Sequence, residues 1–69
     1  MTHKEFLKHV GMELKVSRSR MGLSSVELSK VIAICSQSIL RIESGKSDVR
    51  ILTIKRIADA LGVSLKDIL

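Results

Sequence analysis

Residues 24–46 read SSVELSKVIAICSQSILRIESGK, and the placement of their aliphatic side chains decides the architecture. Ser24 stands three residues before Glu27, the capping-box spacing, in which a serine oxygen takes an amide hydrogen and the glutamate returns to the serine amide. A helix starts there. Leu28, Val31 and Ile32 share one face of it, and the pattern breaks at Ala33 and Ile34. A second short helix is expected from about Ser36 to Glu43, with Ile39 and Ile42 on its inner side and Gly45 closing it. Counted from Ser25 as the first position of a twenty-residue unit, inward positions 4, 8, 10, 15 and 18 are Leu28, Ile32, Ile34, Ile39 and Ile42, all aliphatic. Position 5, where two such helices come closest, is the small Ser29.

Outward from this unit the same punctuation continues. Upstream, Phe6, Val10, Leu14 and Met21, with Leu7 beside them, recur at helical spacing over residues 4–21, and Gly22 ends the run. Gly11 within that helix costs roughly 1 kcal/mol relative to alanine, which implies close packing at that point or a later start of the helix. Downstream, Ile51, Ile54, Ile57, Ala58 and Leu61 form the buried stripe of a helix that Gly62 closes, and Ser64 three residues before Asp67 is a further capping pattern. Nothing alternates with period two, and there is no internal repeat, linker or low-complexity segment. The expected fold is therefore all-α, five helices in one domain spanning 1–69.

Size and composition narrow the function. A chain of 69 residues buries only roughly 60% of the surface its unfolded form exposes, so its 45% of apolar residues must pack well or be shared with a second subunit. One cysteine excludes an internal disulfide framework, and His3 and His9 have no ligand arrangement around them suited to zinc. The longest apolar run is Val31 to Cys35, and Lys4, Glu5, Lys8 and His9 stand where a secretory signal would be apolar, so a soluble, reducing, cytoplasmic setting is expected and a membrane is not. Twelve Lys and Arg against seven Asp and Glu give a formal charge of +5. Such an excess suits a nucleic acid, although it also serves plain solubility. Because Phe6 is the one aromatic residue, stacking of single-stranded bases is disfavoured and duplex DNA remains.

Two short helices joined by a turn of about three or four residues have the geometry in which one helix braces the other against the major groove. With Ile39 and Ile42 inward, the opposite face of the second helix carries Ser36, Gln37, Leu40 and Arg41, with Cys35 at its start. Arginine can donate two hydrogen bonds to guanine, and glutamine can pair with adenine. Leu40 suits a thymine methyl or packing on the turn. Taken alone, Gln37 and Arg41 fit an ordinary solvated helix face better, and it is the helix-turn-helix motif that turns the reading towards contact.

The segment 24–46, with LTIKRIADALGVSLKDIL after it, resembles the lambda-repressor-like family of Cro and phage-repressor type helix-turn-helix domains, from about Val10 to Ile68. The resemblance rests on the five aliphatic positions, the Ile42-Glu43-Ser44-Gly45-Lys46 ending and the Ala58-Asp59-Ala60-Leu61-Gly62-Val63-Ser64 ending at family spacing. It implies sequence-specific duplex DNA binding by a small transcriptional regulator of bacterial or phage type, with base contacts from Ser36, Gln37, Leu40 and Arg41. It also implies phosphate contacts from Ser25, Lys46, Ser47 and Arg50, and an ion pair between Arg18 and Glu43. Departures are Ala33 where the family turn usually has glycine, Ser25 where a phosphate-binding glutamine is common, and Val49 and Arg50 where proline and serine often precede helix four. Lys4, Lys8 and Lys15 read as a solvated face.

Three further expectations follow. Cys35 stands where serine often caps, and a thiol at a helix N-terminus can have a lowered pKa, as a redox switch would need, but a free cysteine is more often a small apolar residue and no second cysteine could resolve an oxidised one. No nucleophile, base and orienter come together, and neither a cofactor nor a small-molecule ligand is indicated, so no enzyme is expected. After Gly62, Val63, Leu65, Ile68 and Leu69 offer more aliphatic surface than a short final helix can hide, so a homodimer contact is expected there, with Leu52 a neighbour and an inverted-repeat site. The rival reading is a protein-interaction module, such as an antitoxin-like or regulator-subunit partner, using Val26, Leu40, Val49 and Leu52.

Overall fold

The structure, a computed structural model, describes all 69 residues. It contains five helices and no strand: α1 (His3–Arg20), α2 (Ser25–Ile32), α3 (Ser36–Glu43), α4 (Ile51–Leu61) and α5 (Leu65–Ile68). None is long and apolar enough to cross a membrane.

Local chemistry sets the boundaries. At the start of α1, Thr2 Oγ1 accepts from the Glu5 amide at 3.1 Å while Glu5 Oε1 accepts from the Thr2 amide at 3.0 Å, a capping box that places the helix start at His3. The same reciprocal pair forms at α2, between Ser24 and Glu27, at 2.9 and 3.0 Å. At α5 the expected cap does not form, because Ser64 Oγ donates to the Asp67 carboxylate at 2.7 Å instead of serving the helix backbone. The turn after α2 needs a left-handed residue, and Ala33 takes that role at φ 57°, at a cost of about 1–2 kcal/mol. From α4, Arg56 reaches across and donates to the carbonyl of Ile32, satisfying a group that the end of α2 leaves free.

The core comprises Val10, Leu14, Leu28, Ile32, Ile39, Ile42, Ile54, Ile57, Ala58, Leu61 and Ile68. α1 crosses the end of α3 at Gly11, where an added Cβ would lie 2.4 Å from the Glu43 carbonyl oxygen and 2.5 Å from that of Ile42. Close packing is thus the reason for a glycine in mid-helix. Some expected inner positions lie outside: Phe6, Met21, Val31 and Ile51 are exposed. Each sits at the edge of its apolar stripe or at a helix end, where no neighbouring helix arrives to cover it.

The final helix removes Ile68 from the expected dimer face. α5 folds against both α1 and α4, and Ile68 is only 1% exposed within its own chain. Val63 and Leu65 also pack partly against the core, and even a four-residue helix hides Ile68 fully once α1 and α4 flank it. Ile68 is therefore a core residue with no surface to offer a partner. Leu52, at 70% exposure, and Leu69, at 46%, remain open.

Candidate nucleic-acid interface

α3 is anchored from beneath and bare on top. Ile39 and Ile42 are buried, while Gln37, Leu40 and Arg41 are exposed and Ser36 is half-buried. Spacings of three and four bring Ser36, Gln37, Leu40 and Arg41 onto one face of the helix. Leu40 is 48% exposed and belongs to that face, so it does not pack into the core.

The tilt of α3 is held by a charge pair. Arg18 Nε and Nη2 donate to the two Glu43 oxygens at 2.7 and 2.9 Å, and Nη1 donates to the Leu23 carbonyl at 2.8 Å. The two side chains are 12% and 4% exposed, so the bidentate bonds act in a mostly water-free setting and tie α1 to the last turn of α3. The hydrogen bond to Glu43 raises the Arg18 pKa further above its already high value, which keeps the guanidinium charged.

Beyond Glu43 the chain turns sharply. Gly45 takes φ 73°, its amide bonds to the Ile42 carbonyl at 3.1 Å, and the Lys46 amide bonds to the Arg41 carbonyl at 3.2 Å. Arg41 Nε donates to Ser47 Oγ at 3.2 Å, which leaves the two terminal nitrogens of its fork free of protein partners. Arg50 is the N-cap of α4 without a side-chain cap bond, so its side chain is free for other contacts. Between α3 and α4 lies an open groove of about 420 Å³, lined among others by Ser38, Arg41, Ser47, Arg50, Thr53 and Arg56. The chain's three ion pairs are His3–Asp48, Arg18–Glu43 and Lys55–Asp59, so Arg41, Lys46, Arg50 and Arg56 have no carboxylate partner. Asp48 is the one carboxylate lining this groove, against Arg41, Arg50 and Arg56, so the charge beside α3 is net positive.

On the other flank, Ser25 is half-buried in the first turn of α2, where neither its own amide nor that of Val26 has a protein partner. Ser29, at the closest approach of α2 and α3, turns its hydroxyl back to the Val26 carbonyl at 2.5 Å. At the entrance to α3, Cys35 Sγ lies 3.1 Å from Ser38 Oγ. That hydroxyl, followed by the amides of Ser38 and Gln37, holds the thiol pKa below its ordinary value. No cluster of potential metal ligands occurs.

Ser36, Gln37, Leu40 and Arg41 lie on the outer face of α3 as their spacing predicts, and Lys46, Ser47 and Arg50 follow in the loop and at the start of α4, with Ser47 bonded to Arg41. The structure also adds Arg56, whose partner Ile32 lies too far away in the chain for any local pattern to reveal.

A braced short helix with an exposed polar face, preceded by a left-handed turn and flanked by free cations, defines a DNA-binding helix-turn-helix domain. A model of the helix-turn-helix family matches residues 14–68, and the chain belongs to this lambda-repressor-like family. No curated protein matches the chain closely enough to count as a relative.

Proposed function

We propose that residues 1–69 act as a single domain that binds duplex DNA at a specific sequence, as a small transcriptional regulator with α3 in the major groove. One observation carries this reading: the exposed face of α3 holds Gln37, Leu40 and Arg41 on a rigid mount, with Arg41, Lys46 and Arg50 free of carboxylates. Ser36, Gln37, Leu40 and Arg41 meet base edges. Arg41 presents a fork that Ser47 steadies at Nε, suited to guanine O6 and N7; Gln37 suits adenine; Leu40 suits a thymine methyl. Ser25 with the free amides of α2 on one side, and Lys46, Ser47 and Arg50 on the other, hold the phosphates that set the register.

One α3 spans only a few base pairs, so a homodimer supplies the second half-site. Its contact draws on Leu52, Leu69 and the uncovered parts of Val63 and Leu65. Two copies of α3 then lie about 34 Å apart on one face of the duplex, and the preferred site is an inverted repeat. An exposed free cysteine suits a reducing compartment, and we place the protein with its DNA in the cytoplasm. Selection of bound sequences from random duplex DNA tests the reading: it should enrich two inverted half-sites about 10 base pairs apart, centre to centre. Recovery of sequences no different from the starting pool would overturn it.

A further inference from the structure

The start of α1 forms a second basic surface beside the loop that follows α3. An open groove of about 600 Å³ runs between them, lined among others by His3, Lys4, Lys8, Ser44, Gly45 and Lys46. Its placement next to α3 is fixed by backbone contacts. The Lys46 amide is bonded to the Arg41 carbonyl at 3.2 Å, and Gly45 presses so closely on α1 that an added Cβ would lie 2.8 Å from Lys8 Cα. Lys4 sits one turn before Lys8 on the same face of α1.

The local charges do not balance. Asp48, the one carboxylate lining the groove, is engaged by the His3 ring at 2.5 Å. Glu5, next to Lys4 in the chain, has turned back to the Thr2 amide, bonds that lower its pKa and keep it ionised. The ammonium groups of Lys4, Lys8 and Lys46 outnumber the carboxylates of Glu5 and Asp48 and leave a net positive charge. Lys4, Lys8 and Lys46 have no carboxylate partner. Like charges four apart on a helix repel, and a third ammonium beside them adds to the repulsion, which a bound anion relieves. Compact, strongly hydrated ammonium groups on flexible stems suit phosphate as point charges and need no fixed geometry.

We propose that Lys4 and Lys8 join Lys46 in binding successive phosphates of the duplex backbone, so that the DNA footprint extends past the helix-turn-helix unit onto the first turns of α1. The proposal rests on the reading of α3 as the DNA-contacting helix, because α3 and the 44–48 loop bring the duplex to this groove. A strand of duplex DNA carries a charge every 3.4 Å or so along its axis, so a backbone leaving α3 meets this groove with several phosphates in reach.

The test is the salt dependence of binding to duplex DNA. Each lost phosphate contact lowers the slope of log K against log salt by about 0.9, so the double variant Lys4→Ala/Lys8→Ala should lower it by about 1.8. The control Lys15→Ala/Lys66→Ala removes the same charge from exposed positions lining neither groove and should leave the slope within a few tenths of wild type. Lys4→Arg/Lys8→Arg should keep the wild-type slope. Steep wild-type salt dependence with both alanine pairs behaving alike would overturn the extended footprint while leaving α3 in place. Wild-type binding that does not respond to salt would remove the α3 reading and this one with it.

Discussion

Replacing Gly11 by alanine separates two opposite expectations. Helix propensity favours the change by about 1 kcal/mol, since alanine is the best residue for the interior of a helix and glycine nearly the worst. Packing opposes it more strongly. The new methyl would sit 2.4 Å from the Glu43 carbonyl oxygen and 2.5 Å from the Ile42 one, whereas a carbon beside a carbonyl oxygen normally keeps at least about 3.3 Å. Both obstacles are backbone atoms in the last turn of α3, so no side chain can swing away. α1 and α3 must instead part by roughly 1 Å, which loosens Val10 and Leu14 against Ile39 and Ile42. Overpacking of this kind costs about 1–3 kcal/mol, and rigid backbone places it at the upper end. Net of the propensity gain, about 2 kcal/mol of stability should be lost. For a domain of this size that lowers the thermal midpoint by about 8–16 °C, measurable by far-ultraviolet circular dichroism. A midpoint equal to or above that of the wild type would refute the close crossing of α1 and α3.

Glu43→Ala leaves the Arg18 guanidinium, only 12% exposed, without its carboxylate, and should destabilise by about 3–5 kcal/mol; an unchanged midpoint in thermal denaturation would mean that the pair does not bind α1 to α3. Cys35 should react with iodoacetamide faster at neutral pH in the folded chain than in urea, because the Ser38 hydroxyl and nearby amides favour the thiolate. Ser38→Ala should move the inflection of the rate profile to higher pH, and an unmoved inflection would count against that origin. In sedimentation experiments, Leu69→Asp should shift a dimer towards a folded monomer, whereas Ile68→Asp, which forces a carboxylate into the core, should unfold the chain. A folded dimer surviving Leu69→Asp and Leu65→Asp together would place the twofold contact elsewhere.

What was legible in the sequence is what depends on near neighbours. The capping box at Ser24 and Glu27, the closing glycines and the inward set Leu28, Ile32, Ile39 and Ile42 are all short-range patterns, and the structure forms each of them. The Thr2-x-x-Glu5 box at α1 has the same spacing and was open to the same reading. Hydrophobicity alone misled where coverage depends on a distant helix: Val31 and Ile51 find nothing over them, while Ile68 is enclosed by α1 and α4. Contacts such as Arg56 with Ile32, or Lys8 beneath Gly45, join parts of the chain that no periodicity connects. The basic groove at Lys4 and Lys8 thus became visible only when the loop after α3 was seen to rest on α1.

The central claim is that α3 reads bases while its surroundings hold phosphates, and Arg41 is the residue on which it turns. The direct measurement is the affinity of wild type, Arg41→Ala and Lys46→Ala for the selected site and for random duplex DNA at one fixed salt concentration. Arg41→Ala should lose about 1–3 kcal/mol on the selected site and much less on random DNA, collapsing the ratio between them, while Lys46→Ala should weaken both similarly and keep the ratio. Equal losses on the two DNAs for Arg41→Ala would contradict the account, since a side chain that touches only the backbone cannot tell one sequence from another.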